Sequence, residues 1–289
     1  MKELGDDEIR VIGDSPFKEP KKPNRLWALL ALVAMIVLIA FLVLLVTKCG
    51  DDEKEAPTYF DTVELDTTAN ASIISPQLDD SDGMKGVTQM DTLVNDIPLT
   101  IYQPHGLRAS LHIGELQDPE VDTTIVMALV AADIRADNGM IVSAFVLHGE
   151  PVSRGVAKQG YCAIIDGKIT LGVDAETPLY ERAIEREGDF FRQYPLVSNG
   201  RIVENKVKNK AQRRALAQIG GKVVVVTTGT RESLHDFAQS LVDIGAESAV
   251  NLVGSKMRTG WINLGDTTIV PEEKYGPLPA NVNYIVWSK

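Results

Sequence analysis

Read for its alternation of apolar and polar positions, the chain opens with one run unlike any other. Residues 26–46 (LWALLALVAMIVLIAFLVLLV) hold no charge, no proline or glycine, and no polar stripe. At 1.5 Å per residue the run makes roughly 31 Å of helix, the thickness of a hydrocarbon core, so it predicts a transmembrane helix over 26–47. Farther on, the pattern changes to short apolar runs broken by turn residues. Asp96–Tyr102 and Ser110–Leu116 read as strands, and Thr123–Ala132 reads as a buried strand with Asp133 just past its end. Met140–His148 is β-rich and leads into a turn at Gly149-Glu150-Pro151. Tyr161–Ile165 and Lys168–Gly172, joined by Asp166-Gly167, carry a hairpin signature. Pro178–Arg186 offers weak helical spacing in Leu179 and Ala183.

The sharpest unit comes late. Lys222–Thr228 (KVVVVTT) reads as a strand buried on both faces. Ser233 then caps a helix in which Leu234, Phe237, Ala238, Leu241 and Val242 share one face, with Asp236 completing a capping box. Gly245 ends the helix, and Ser248–Leu252 is the next strand. Two short strands (Trp261–Leu264, Thr267–Val270) and Asn283–Trp287 close the chain. The expected fold is α+β: a single N-terminal transmembrane helix, then an exported domain with a mixed β-sheet and a C-terminal β-α-β unit.

Flanking charge sets the orientation. Lys18, Lys21, Lys22 and Arg25 precede the apolar run, while Asp51, Asp52, Glu53 and Glu55 follow it, tempered by Lys48 and Lys54. The positive-inside rule places residues 1–25 in the cytoplasm, as a disordered tail, and everything past the span outside it. The run is longer than a signal-peptide core and Thr47-Lys48-Cys49 is no cleavage site. Lys48 also fits poorly before a lipid-modified Cys49. An uncleaved signal anchor is the expectation, contacting the bilayer through residues 26–46. Residues 48–85 form an acidic linker, with a short strand at Tyr59–Leu65, and residues 86–289 form one domain.

Net charge then narrows the chemistry. The 289 residues carry −11, and the tail's six basic and six acidic side chains cancel, so all of it lies beyond residue 25. Such acidity argues against nucleic acid as a partner. Two cysteines support neither a disulfide scaffold nor a thiolate zinc site, and the four histidines are never spaced i, i+3 or i, i+4. No dinucleotide, P-loop, G-x-S-x-G or H-E-x-x-H motif is present, so no metal or nucleotide cofactor is legible.

The C-terminal unit carries a resemblance. Arg213-Arg214-Ala215-Leu216-Ala217 leads into the valine strand; the helix ends in Ile244-Gly245-Ala246; Asn251-Leu252-Val253-Gly254-Ser255 follows. This order resembles the phosphodiester glycosidase family, whose animal member is the mannose-6-phosphate uncovering enzyme. There an R-T-A-x-G segment precedes an apolar strand, and a helix ending L-G-A leads to N-L-D-G-G. Upstream, Asn138-Gly139, Gly149-Glu150-Pro151 and the Tyr161–Gly167 hairpin are similar to the family's N-G-x-F and G-x-P region. The likeness covers residues 120–289. One departure stands out: Val253 occupies the place of the family's aspartate.

The resemblance implies an exported hydrolase acting on the sugar–phosphate side of a sugar-1-phosphodiester, in glycan or lipid-linked substrates, on the periplasmic side of a bacterial inner membrane. The alternative is a catalytically impaired member that binds glycan or an envelope protein partner. Hydrolysis through an oxocarbenium-like state needs an acid and a base or nucleophile; Asp133 and Glu150 are the candidates. The phosphate needs Arg, Lys or backbone N–H donors. Arg213, with Arg214 beside it, is the first candidate, followed by Arg154, Ser233, Asn251, Gly254 and Ser255. Each has a plainer reading: Ser233 as a cap, Asp133 and Glu150 as turn residues, and Arg201–Arg214 as a solvated basic loop.

Overall fold

The computed structural model describes residues 83–253, 260–270 and 278–289, together with Ile74, Gln77 and Leu78. The expected transmembrane segment, tail and Tyr59–Leu65 strand, most of the linker, and Gly254 and Ser255 lie outside the described residues. Among the described residues no helix is long and apolar enough to cross a membrane.

Among the described residues the structure is mostly β, with strands in three sheets and two short helices long enough to delimit. A seven-stranded sheet runs in the order β1 (Gly86–Val94), β2 (Ile97–His105), β13 (Lys222–Thr228), β12 (Arg214–Ile219), β14 (Ala246–Asn251), β10 (Pro195–Ser198) and β11 (Arg201–Ile202). A second sheet orders β16 (Thr268–Ile269), β15 (Trp261–Asn263), β4 (Ile125–Val130), β17 (Asn283–Ser288) and β3 (Arg108–Ile113). The third orders β6 (Glu150–Ser153), β5 (Phe145–Leu147), β9 (Asp189–Gln193), β7 (Gly160–Ile165) and β8 (Lys168–Val173). The helices are α1 (Leu179–Glu185) and α2 (Leu234–Asp243).

Every ladder among the described residues is antiparallel, which corrects the expectation of a mixed sheet. The C-terminal β-α-β unit is present in a split form. β13 and β14 both pair antiparallel with β12, so they run parallel to one another with β12 between them. A crossover helix and an inserted hairpin partner thus coexist, because Gly220-Gly221 turns β12 directly into β13.

Two-residue turns set much of the register. Asn95-Asp96, His148-Gly149, Asp166-Gly167, Asn199-Gly200 and Gly220-Gly221 all have both residues at positive φ and each closes a hairpin. That conformation matches the right-handed strand twist and favours Asn, Asp and Gly. It also corrects the expected turn at Gly149-Glu150-Pro151: the bend is His148-Gly149, and Glu150 begins β6. Met140–His148 is strand only from Phe145, because Ser143 sits at φ 70 and interrupts the extended backbone.

Helix α2 behaves as its sequence requires. Ser233 caps it by accepting from the Asp236 N–H (3.0 Å), and Gly245 follows its end at φ 88. Its face of Leu234, Phe237, Ala238 and Leu241 packs on Ala215, Ala217, Val224 and Val226. The other face of the seven-stranded sheet, with Leu216, Val225 and Val250, meets Met127, Leu129, Ile285 and Trp287 of the second sheet and Phe145, Cys162 and Phe191 of the third. The outer face of the third sheet is covered by α1, where Ala183 packs on Phe190 and Ala163. Cys162 is a buried free thiol whose pKa burial pushes up, an apolar filler as expected.

Candidate functional site

One end of the seven-stranded sheet gathers the polar chemistry. There β13 and β14 finish, β12 and β10 begin, and α2 starts. Antiparallel register lays Asp91, Thr100, Thr227 and Arg214 in one row across β1, β2, β13 and β12. Thr100 Oγ1 donates to Asp91 Oδ1 at 2.7 Å, and Arg214 Nε reaches Thr227 Oγ1 at 3.4 Å. Arg214 is 6% exposed, and no carboxylate pairs with it among the described residues. Burial pushes its guanidinium down to about 10, with only the nearby Tyr102 hydroxyl pulling the other way.

Its neighbour is engaged differently. Arg213 Nε donates to Glu232 O at 2.8 Å, and one terminal nitrogen donates to Asn209 O. Its backbone N–H meets Thr228 Oγ1 at 2.8 Å. Arg213 therefore clamps the loop before β12 to the loop before α2. The first phosphate candidate has committed its guanidinium to backbone carbonyls, and the residue beside it has not.

The remaining candidates fall in three places. Ser233 lies at this end, with its hydroxyl oxygen occupied as a cap. Asn251 lies here too, on the α2 side opposite Ala215, its backbone N–H bonded to Tyr194 O at 2.9 Å. Arg154 is on the outer side of the third sheet, facing Tyr180 and Thr177. Glu150 is exposed beside the His148-Gly149 bend.

Asp133 leads to a cluster with no sequence signal. Its carboxylate contacts Lys158 Nζ, and Lys158 also donates to Gln193 Oε1 at 2.6 Å and lies 4.3 Å from the Tyr194 ring centroid. Lys158 is 5% exposed, and its backbone N–H is held by Ser143 Oγ at 3.0 Å. Burial pushes the ammonium down to about 7, against the pull of the Asp133 carboxylate in contact with it. Gln193 is fully buried, with Nε2 lacking a hydrogen-bond partner. Tyr194 joins this cluster to the sheet end through Asn251. A buried lysine in a loop between β6 and β7 has no motif; only its three-dimensional partners reveal it.

The two carboxylate candidates are not brought together. Asp133 joins the Gln193 end of β9 through Lys158. Glu150 pairs with Leu147, whose neighbour His148 bonds through its N–H to Asp189 Oδ1 (2.7 Å) at the other end. Four residue steps separate those ends, roughly 13 Å, whereas glycosidase carboxylates stand about 5–9.5 Å apart across one bond. Among the described residues no group of three His, Cys, Asp or Glu side chains gathers to hold a metal.

The three-sheet arrangement with its split β-α-β unit has counterparts among solved structures. It is similar to the catalytic domain of zebrafish N-acetylglucosamine-1-phosphodiester alpha-N-acetylglucosaminidase, solved as auto-inhibited by its pro-peptide. That match has a TM-score of 0.51 and 14% identity, covering 72% of this chain and 84% of that one. It is similar as well to a hypothetical protein from Synechocystis (TM-score 0.50, 15% identity, covering 71% of this chain and 62% of that one). At such identity the likeness is one of fold. No family model matches the sequence, and no curated protein matches it.

Proposed function

We propose that the domain binds a sugar phosphodiester at the end of the seven-stranded sheet, with Arg214 as the counter-charge of the phosphate. The observation that carries this reading is Arg214 itself, a buried guanidinium at the end of the strands with no carboxylate partner among the described residues. Leaving such a charge unpaired is costly, and a phosphate satisfies it bidentately. The sugar-phosphodiester class is supported by the likeness to a domain whose name gives that substrate. Asp133 and Lys158 are the pair that handles the proton: a carboxylate one-third exposed, backed by an amine that burial brings near neutrality, is suited to general acid–base work.

A second reading is binding without turnover. It is favoured by Val253 and by the separation of Asp133 from Glu150. One experiment separates the two: the purified chain is incubated with a panel of sugar-1-phosphodiesters, following free reducing sugar and, by calorimetry, binding. Sugar release that disappears in Arg214→Met and Asp133→Asn supports the hydrolase. Binding lost in Arg214→Met, with no release, supports the binder. A folded protein that does neither refutes both.

The anchor is part of the same proposal. Residues 26–46 hold the domain to a bilayer with residues 1–25 on the cytoplasmic face. Protease added outside intact spheroplasts is expected to digest the domain and spare the tail; the reverse pattern inverts the topology.

A further inference from the structure

We propose a second ligand site, independent of the first, on the outer face of the third sheet: a cleft that takes a small oxyanion, carboxylate or phosphate, between Arg154 and Arg192. The cleft is open, about 190 Å³, and is lined by these two arginines, Thr177, Tyr180, Glu181 and Ala175. Arg192 follows Phe191 on β9 and points away from the Gln193–Lys158 cluster, since successive strand residues face opposite sides.

Two features of the cleft call for a partner. Arg192 is 2% exposed and donates to the carbonyls of Gln159 (3.3 Å), Asp174 (2.6 Å) and Ala175 (2.9 Å), yet its Nε has no partner among the described residues. The Tyr180 hydroxyl is likewise buried and without a partner among the described residues. Natural structures satisfy the great majority of buried polar atoms, and each orphan costs about 1–3 kcal/mol. Two orphans against one cleft, both able to donate, define an acceptor-rich ligand rather than a packing flaw.

Charge agrees. Arg154 is exposed, makes no ion pair or hydrogen bond among the described residues, and lies near enough to draw the Tyr180 pKa down against burial. The cleft is thus lined by two cations and the carboxylate of Glu181, with Asp174 near enough to act on Arg192, in a protein of net −11. Arg154, exposed and without a hydrogen bond among the described residues, is free to turn toward an entering anion. Arg192 is the fixed element, its orientation set by three carbonyls.

The test uses the full chain, titrated separately with inorganic phosphate and with glucuronate by calorimetry, which tells a free phosphate from a sugar carboxylate. Saturable binding of either is expected, weakened at least tenfold in Arg154→Ala and three- to fivefold in Tyr180→Phe. Because Tyr180→Phe removes an unsatisfied hydroxyl, its Tm is expected to hold or rise while affinity falls, an outcome that a purely structural tyrosine does not give. Because inorganic phosphate can also occupy the Arg214 site, both titrations are repeated in the Arg214→Met chain, where saturable binding at this cleft is expected to persist. The proposal is overturned by the absence of saturation with both anions in the Arg214→Met chain, or by unchanged affinity there when Arg154→Ala and Tyr180→Phe are added.

Discussion

Replacing Arg214 by Met is expected to make the protein more stable and less able to bind. The guanidinium is almost wholly buried, and burial brings it down to about 10. Holding it charged in the fold, at about 1.4 kcal/mol per pH unit, costs about 3 kcal/mol at neutral pH. What it returns is one long hydrogen bond to Thr227 at 3.4 Å. Methionine keeps the reach without the charge, so the gain should be about 1–3 kcal/mol, or a rise in Tm of about 2–4 °C for each kcal/mol in a domain of this size. Urea unfolding read from the buried Trp261 and Trp287 measures it. Arg213→Met is the contrasting control. It frees the carbonyls of Asn209 and Glu232 and should cost about 2–3 kcal/mol. Opposite signs at adjacent arginines, with phosphodiester binding lost at Arg214, match a guanidinium kept for a ligand. Equal destabilisation by the two replacements refutes the reasoning, because Arg214 would then be a strut like its neighbour.

Three other perturbations follow from the same geometry. Ser233→Ala removes the cap on α2 and should cost about 1 kcal/mol, seen as a lower urea midpoint with unchanged slope. For Lys158, the unfolded chain titrates near the ordinary lysine value of about 10.4, while burial brings the folded amine to about 7. Between these values the unfolded state holds the extra proton, so stability should rise from pH 7 to pH 9 by on the order of 2 kcal/mol. Lys158→Met should abolish that rise; a rise that persists in the variant assigns it elsewhere. At Gly160 an added Cβ lies 2.6 Å from Gln193 O and 2.8 Å from Pro195 N, so Gly160→Ala should cost about 1–3 kcal/mol and disturb Lys158 along with Gln193. Calorimetry should then show weaker phosphodiester binding as well as a lower Tm.

Where local signals coincide, the sequence reads well. The Ser233 cap, the apolar face of α2, Gly245, the valine strand and the Asp166-Gly167 hairpin all stand as expected, because each is decided within a few residues. β9 went unread for the opposite reason. Its five residues DFFRQ are all buried, polar ones included, so no alternation marks it. Only β11 falls inside Arg201–Arg214, the stretch that reads as a basic loop; β10 and most of β12 lie on either side of it and carry no reading, although Asn199-Gly200 and Gly220-Gly221 are strong hairpin dipeptides. The site divides along the same line. Arg213 and Arg214 are equivalent in sequence; only the pairing of β12 decides which guanidinium clamps loops and which is left without a carboxylate. Asp133 was legible as the residue after a buried strand, but Lys158 and Gln193 join it from 25 and 60 residues away through contacts that no spacing rule encodes.

The place of β17 has a consequence for how the chain must be made. This strand sits between β3 and β4, pairing with both, and Asn283 bonds the Ala132 backbone across 151 residues of sequence. β3 and β4 are therefore synthesised early, each with an apolar flank waiting for a partner that leaves the ribosome last among the three. Until it arrives, their natural error is to zip to one another, a local pairing that excludes β17 and leaves Trp287 and Tyr284 without a core. Folding that waits until translation has passed residue 288 avoids that trap. A holding chaperone for β3 and β4 is then a more pressing need than any catalyst of folding.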